Sequence, residues 1–220
     1  MNLSAFGLSD VGRVRTRNED AFVVRSDIQL FAVADGMGGH AAGDVASKAA
    51  LVALSNALTI EPDPELLSKA VELANLTVFE TAAAEPEKAG MGCTLTALLL
   101  SDERTKATVA HVGDSRCYLL RNDELTQLTT DHTIAPRSNV LTRAIGTHGS
   151  VLVDVVHSDV QLNDLFLLCS DGLTGMVSDL DLKVMLQQKK PLPQIAQDLI
   201  EAANLRGGTD NITVVLVMMG

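Results

Sequence analysis

Two stretches of this chain share one plan: an apolar run, a small residue, Asp-Gly, an apolar residue, then another Gly. They are FAVADGMGG, carrying Asp35, and FLLCSDGLTG, carrying Asp171. Each apolar run is short, suits a buried strand and is bounded by a turn signal. Each therefore delivers a carboxylate to the point where a strand leaves the core. A carboxylate there must be solvated, hydrogen-bonded or paired with a cation. One Asp-Gly pair alone reads as a turn. Two in one chain point to a shared cation site.

The rest of the chain has to supply the scaffold. Its 220 residues fit a single domain spanning 1–220. Hydrophobic residues make up 46% of it and aromatic ones 3%, so small and β-branched side chains must do most of the packing. The net charge of −11 argues against a nucleic-acid or anionic-membrane surface, which needs clustered Lys and Arg. Part of that acidic excess is expected around metal, because a bound divalent cation offsets clustered carboxylates. Cys93, Cys117 and Cys169 form no CxxC pair and lie in apolar runs, which predicts reduced thiols in the core. The opening MNLSAFGLSD has no basic start or long apolar stretch, and no apolar run reaches the roughly 18 residues of a membrane span. A soluble, cytoplasmic monomer is the expectation.

AFGLSDVGRVRTRNEDAFVV predicts two strands broken by a polar turn, and QLFAVADG a buried strand. DVASKAALVALSNAL has apolar residues at helical spacing, with Asp44 placed to cap it. PELLSKAVELANLTVFETAA is a second helix with Pro64 at its start. CTLTALLLS, KATVAHVG, RCYLLR, VLVDVVHSDV and DLFLLCSDG then read as strands, with RNDE at 121–124 as a hairpin turn before LTQLT. SDLDLKVMLQQ and PQIAQDLIEAANL are helices separated by the KKPLP breaker. ITVVLVMM closes the chain, too uniformly apolar for an edge strand. Strands, a helix pair, more strands, a helix pair and a last strand make an α+β fold.

Carboxylates recur at strand ends and turns: Glu19-Asp20, Asp35-Gly36, Asp171-Gly172, Asp210-Asn211 and Asp114 in HVGDSR. Hard cations such as Mg²⁺ and Mn²⁺ take oxygen ligands, and a pair of them can activate water and clamp a phosphoryl group. Singly, each acid also reads as a turn or a solvated loop, and His111 in VAHVG as a core histidine.

In order along the chain come GRVRTRNEDAF, FAVADGMGGH, GCTLTALLL, HVGDSRCYLL, LTTDHT, NVLTRAIG, LLCSDGLTG and GGTDNITVVLV. These eight blocks resemble the successive signatures of the metal-dependent protein phosphatases of type 2C (PPM), in their bacterial form. The resemblance runs from about residue 6 to 218. It implies a four-layer αββα sandwich, two antiparallel sheets flanked by helix pairs, with a Mn²⁺ or Mg²⁺ centre at one end. It further implies that Asp35 bridges two ions and that Asp171 and Asp210 join it on the first. The Gly36 carbonyl, with Glu19 and Asp20, would hold the second, and Asp114 with Asp171 a weaker third. Arg15 matches the arginine that grips substrate phosphate. The implied reaction is direct hydrolysis of phosphoserine or phosphothreonine in proteins by a water held between the ions. The implied partners are phosphorylated proteins and a bacterial Ser/Thr kinase pathway that the enzyme reverses. With Asp35, Asp171, Asp210 and Arg15 all present, a binding-only relative without turnover is disfavoured.

Two departures from the family pattern matter. Eukaryotic relatives read Asp-Gly-His, whereas Met37 stands here and cannot donate a proton; His40 is the candidate general acid for the leaving alkoxide. Only Ile134 to Ser138 separate LTTDHT from NVLTRAIG, where bacterial relatives carry a longer helical flap. The short segment predicts a more open site, with weak dependence on the residues flanking a phosphosite.

Overall fold

ITVVLVMM forms an interior strand of its sheet, paired on both sides, as its unbroken apolarity requires. The structure, a computed structural model, describes residues 1–37, 42–60, 66–134 and 137–220. The first half contains β1 (Leu3–Asp10), β2 (Ala21–Arg25), β3 (Leu30–Ala34), β4 (Gly36–Met37), α1 (Gly43–Ile60) and α2 (Leu67–Ala84). The middle is β5 (Gly92–Cys93), β6 (Leu95–Leu100), β7 (Lys106–Val112), β8 (Arg116–Arg121), β9 (Glu124–Gln127), β10 (Thr133–Ile134) and β11 (Arg137–Leu141). β12 (Asp154–Asp159), β13 (Leu165–Cys169), α3 (Asp171–Thr174), α4 (Asp179–Leu186), α5 (Leu192–Leu205) and β14 (Ile212–Met219) complete it. One five-stranded sheet has the order β1-β14-β13-β8-β9 and the other β12-β7-β6-β3-β2, with every pairing antiparallel.

The alternation of side chains along the strands sorts the core into layers. In β3, Leu30, Ala32 and Ala34 pack with Leu54 of α1 and Val71 of α2. Phe31 and Val33, on the opposite face, pack with Phe166 and Leu168 of β13 and Val215 and Val217 of β14. On the far side of that second sheet, Tyr118, Leu167 and Leu216 meet Leu199 and Ile200 of α5. Helices, sheet, sheet, helices: this is the αββα sandwich, with strands that read as continuous apolar runs because both faces are covered. Ala46, Ala50, Leu54 and Leu58 form the buried stripe of α1, each a turn from the next. Small alanines there let the helix lie close on the sheet, which is how the fold manages with few aromatics.

The RNDE turn is as expected: Asn122 (φ 49°) and Asp123 (φ 63°) both take the left-handed conformation of a tight hairpin between β8 and β9. Three details differ from the sequence reading. α1 begins at Gly43, so Asp44 sits inside the first turn, where it favours the helix dipole and pairs with Lys48 at 2.8 Å. In VLVDVVHSDV only Asp154–Asp159 pairs with β7; Val151–Val153 lie outside the strand, Val151 and Val153 packing against the helix-side core. Where a flap was expected to be curtailed, β10 and β11 pair directly, Thr133 with Leu141 and Ile134 with Arg137. Pro64 lies outside the described residues.

Candidate active site

The two Asp-Gly strand ends come from facing sheets. Asp35 follows β3 in one, and Asp171 follows β13 in the other as the first residue of α3. Neither glycine adopts a left-handed conformation. Each is required by close approach instead. A Cβ on Gly36 would strike the backbone of Gly43 and the Glu19 carbonyl, and one on Gly172 would strike the Asn211 carbonyl. The glycines thus let α1, the β1–β2 loop and the start of β14 converge on the carboxylates.

That loop, residues 11–20, carries Arg15, Glu19 and Asp20 and is pinned along its length. Gly12 (φ +82°) lies so close to the Asp210 carbonyl that no side chain would fit. The Arg13 N–H donates to the Gly208 carbonyl (2.7 Å), and the Asn18 amide to Ser9 Oγ (2.7 Å). Asn211 holds the rest: its Nδ2 donates to the carbonyls of Val11 (3.0 Å) and Arg17 (2.9 Å), and its Oδ1 accepts from the Glu19 N–H (2.8 Å). The Glu19 carbonyl in turn accepts from the Gly36 N–H (3.1 Å) and Ser47 Oγ (2.7 Å). Its carboxylate reaches Gly43 at the start of α1. Ser170 Oγ donates to Asp20 Oδ2 (2.7 Å), tying the second strand end to the loop. Thr94 frames the first, accepting from the Asp35 N–H at 3.0 Å.

The result is a set of carboxylates that act on one another. Asp20 is buried and pushed up to about 6, by desolvation first, against hydrogen bonds from Thr213 and Ser170 and with the charges of Asp171 and Asp210 raising it further. Asp35 keeps some solvent contact, yet its carboxyl lies well above the ordinary range through desolvation and the charges of Asp20, Asp171 and Asp210. Desolvation and Asp210 also raise Asp171. Asp114, between β7 and β8, is lifted to about 7 by burial, Asp171 and Asp131. Burial lifts Glu19 against the pull of Arg15. Asp210 accepts a hydrogen bond from Arg15 Nη2 at 2.8 Å, which brings the guanidinium to the rim of the cluster.

This donor set suits a hard cation. It is all oxygen, and Asp20 Oδ1 and Asp171 Oδ1 are buried with no hydrogen-bond partner. Among the described residues no three His, Cys, Asp or Glu side chains form a group that could by themselves hold a metal ion. Of the described members of the expected site, Arg15, Glu19, Asp20, Asp35, Asp114 and Asp210 lie on connections between elements, while Gly36 opens β4 and Asp171 opens α3. His40 lies outside the described residues. Met37 lies against Gly92 of β5. Ser170 and Asn211 escaped the sequence reading, although both sit beside an expected ligand: Ser170 is the small residue that precedes Asp171.

No thiol competes for the chemistry. Cys93, Cys117 and Cys169 are free and buried. Burial pushes all three upward, Cys169 to about 12, the reverse of what a nucleophilic thiolate needs. His111 is a core histidine, its Nδ1 2.9 Å from Thr96 Oγ1 and its Nε2 3.2 Å from the Thr130 carbonyl.

Facing sheets that converge on an oxygen-only set of carboxylates beside an arginine form a centre whose donors suit phosphate and hard cations. The family model for protein phosphatase 2C matches residues 6–140. The serine/threonine phosphatase stp of Listeria innocua is 40% identical over 236 residues, covering 95% of this chain and 93% of its own. The catalytic domain of the serine/threonine protein phosphatase PstP, solved with two manganese ions, is 38% identical with a TM-score of 0.90, covering 99% of each chain. PppA of Pseudomonas aeruginosa superposes with a TM-score of 0.88 at 32% identity, covering 99% of this chain and 97% of its own. The chain belongs to the protein phosphatase 2C family. It is a metal-dependent protein serine/threonine phosphatase, and the family binds divalent metal ions. Among the described residues no helix is long and apolar enough to cross a membrane.

Proposed function

We propose that this phosphatase reverses a bacterial Ser/Thr kinase pathway by direct hydrolysis, using Mn²⁺ or Mg²⁺ held by Asp35, Asp171, Asp210, Asp20, Glu19 and the Gly36 carbonyl. Asp114, whose charge is felt with that of Asp171, is the additional ligand for a third ion. The observation that carries the reading is the elevation of Asp35, Asp20 and Asp171 by burial and mutual repulsion, alongside two unpartnered buried oxygens. A divalent cation relieves that repulsion, and its positive charge would return the carboxylates to their ionised form. When bound, the cations supply Lewis acidity toward the phosphate oxygens and the attacking water.

The protein's own groups supply the rest. Arg15 offers planar donors suited to phosphate oxygens. Asp210 engages its Nη2, and among the described residues Nε and Nη1 have no partner, so they are available to hold substrate. Asp210 is in turn oriented by the Asn211 N–H at 2.8 Å. No phosphoenzyme is required, in keeping with the elevated thiols. His40 is the assigned proton donor to the leaving alkoxide.

The test is hydrolysis of a phosphoserine peptide and of para-nitrophenyl phosphate with added Mn²⁺ or Mg²⁺, with and without chelator. Chelation should abolish both activities, and Asp171→Asn should lower kcat by about a hundredfold or more. His40→Asn should slow the peptide more than the aryl phosphate, whose leaving group needs no proton. Turnover that survives chelation would sink the metal assignment, and equal slowing of both substrates would remove His40 as the acid.

A further inference from the structure

The β1–β2 loop concentrates three of the chain's 17 basic residues, Arg13, Arg15 and Arg17, within five positions of a protein whose net charge is −11. Arg15 is paired with Asp210. Among the described residues, neither Arg13 nor Arg17 enters an ion pair or a side-chain hydrogen bond, and both are exposed. Their backbones are nonetheless fixed, the Arg13 N–H on the Gly208 carbonyl at 2.7 Å and the Arg17 carbonyl on Asn211 Nδ2 at 2.9 Å. The stem of Arg13 lies against the turn at Gly208, on the Asp210 side of the centre. Arg17, at the other end, stands two residues before Glu19 on the same pinned loop. The two arginines therefore bracket Arg15 along the pinned loop, two residues to either side. Two residues of chain span at most about 7 Å. Arg13 and Arg17 are thus spaced from Arg15 much as a peptide's positions two residues away are spaced from its phosphosite.

We infer that Arg13 and Arg17 are specificity-determining residues that select phosphosites carrying a second anionic group, a carboxylate or a phosphate, within about two residues. The inference rests on the phosphatase reading and adds the substrate class. An enzyme this acidic would otherwise repel acidic flanks and favour basic ones. The arginines reverse the field locally, on a loop already ordered, so little conformational entropy is lost on engagement. The expected indifference to flanking residues is thereby narrowed: the short β10–β11 hairpin bears on their shape, and the arginines read their charge.

The test compares kcat/KM for phosphoserine peptides of one length bearing Glu, Ala or Lys two residues to either side. A fourth peptide carries a non-hydrolysable phosphonate at the flank, which separates a phosphate source of the anion from a carboxylate one. At low salt, the Glu and phosphonate peptides should be preferred over Ala by about fivefold, and Ala over Lys, with the ratios shrinking as salt rises. In Arg13→Ala/Arg17→Ala the Glu-to-Ala ratio should fall to about one, while Arg13→Lys/Arg17→Lys should keep most of it. Equal rates for all four peptides with wild type, or a preference that survives the alanine pair, would overturn the inference. If a melting curve shows the alanine pair unfolded, the lysine pair and the salt series decide, and a preference insensitive to salt overturns it. Failure of wild type to hydrolyse any peptide would instead sink the phosphatase reading, and this inference with it.

Discussion

Asn211 supports the site without being one of the residues assigned to touch a ligand. Its single amide serves three backbone groups of the β1–β2 loop, at Val11, Arg17 and Glu19, while its carbonyl packs on Gly172. It is buried, so a truncated side chain leaves those groups without ready access to water. At roughly 1 kcal/mol for each net hydrogen bond, Asn211→Ala should destabilise the protein by about 2–3 kcal/mol. That corresponds to a loss of roughly 5–10 °C in Tm for a chain of this size. Because the freed loop carries Arg15, KM for a phosphopeptide should rise as well. A variant with an unaltered melt and KM would show that the loop's remaining ties hold it without Asn211. Gly36 and Gly172 make a related point: they serve close approach, not turn formation, which a local motif cannot distinguish.

At the level of elements, most of the fold was legible because alternation and apolarity are local. β14 is enclosed as its composition requires, and the helix pairs flank the sheets as their spacing implies. Strand limits were less legible, since Val151–Val153 are apolar enough for a strand yet lie outside β12, Val151 and Val153 packing on the core instead of pairing. The carboxylates could be named from their strand ends; their supports could not. Arg15 meets Asp210 across 195 residues, and Ser170 meets Asp20 across 150, separations over which no sequence pattern carries. Arg121 and Asp164 are another such case. The fully buried Asp164 accepts from Arg121 Nε at 2.8 Å and Nη2 at 2.6 Å, and from the Gln161 N–H at 2.7 Å. This fork clasps the end of β8 to the turn before β13. Arg121→Ala leaves that carboxylate half-paired in the interior, and the cost should be about 2–3 kcal/mol, somewhat below a fully buried pair because the arginine is partly exposed. Arg121→Lys should recover only part, lacking the two-pronged geometry. Urea midpoints measure both, and a full rescue by lysine would reduce the clasp to simple charge.

Across the whole molecule, the acidic centre makes stability depend on pH in an unusual direction. Asp20, Asp35, Asp114 and Asp171 are all raised above the ordinary carboxylate range in the metal-free fold, Asp20 to about 6 and Asp114 to about 7. Between an unfolded value near 4 and these folded values, the native state binds more protons than the unfolded one, so stability falls as pH rises. His111 opposes this: burial first, then His132, lowers it to about 4, so its part of the stability is lost as pH falls from about 6.5. Four carboxylates outweigh one imidazole. In chelator, therefore, Tm should be higher near about pH 5 than near about pH 8. With Mn²⁺ or Mg²⁺ the trend should reverse, because cation and proton compete for the same oxygens and binding strengthens as protons leave. Asp35→Asn should raise the chelated Tm at the higher pH and shrink the metal-induced gain. A chelated protein that is more stable at about pH 8 would mean the carboxylates are not strained against one another. If the trend holds, the repulsion that weakens the metal-free fold is the same repulsion a cation relieves on binding, and stability withheld from the empty site reappears as affinity for the metal.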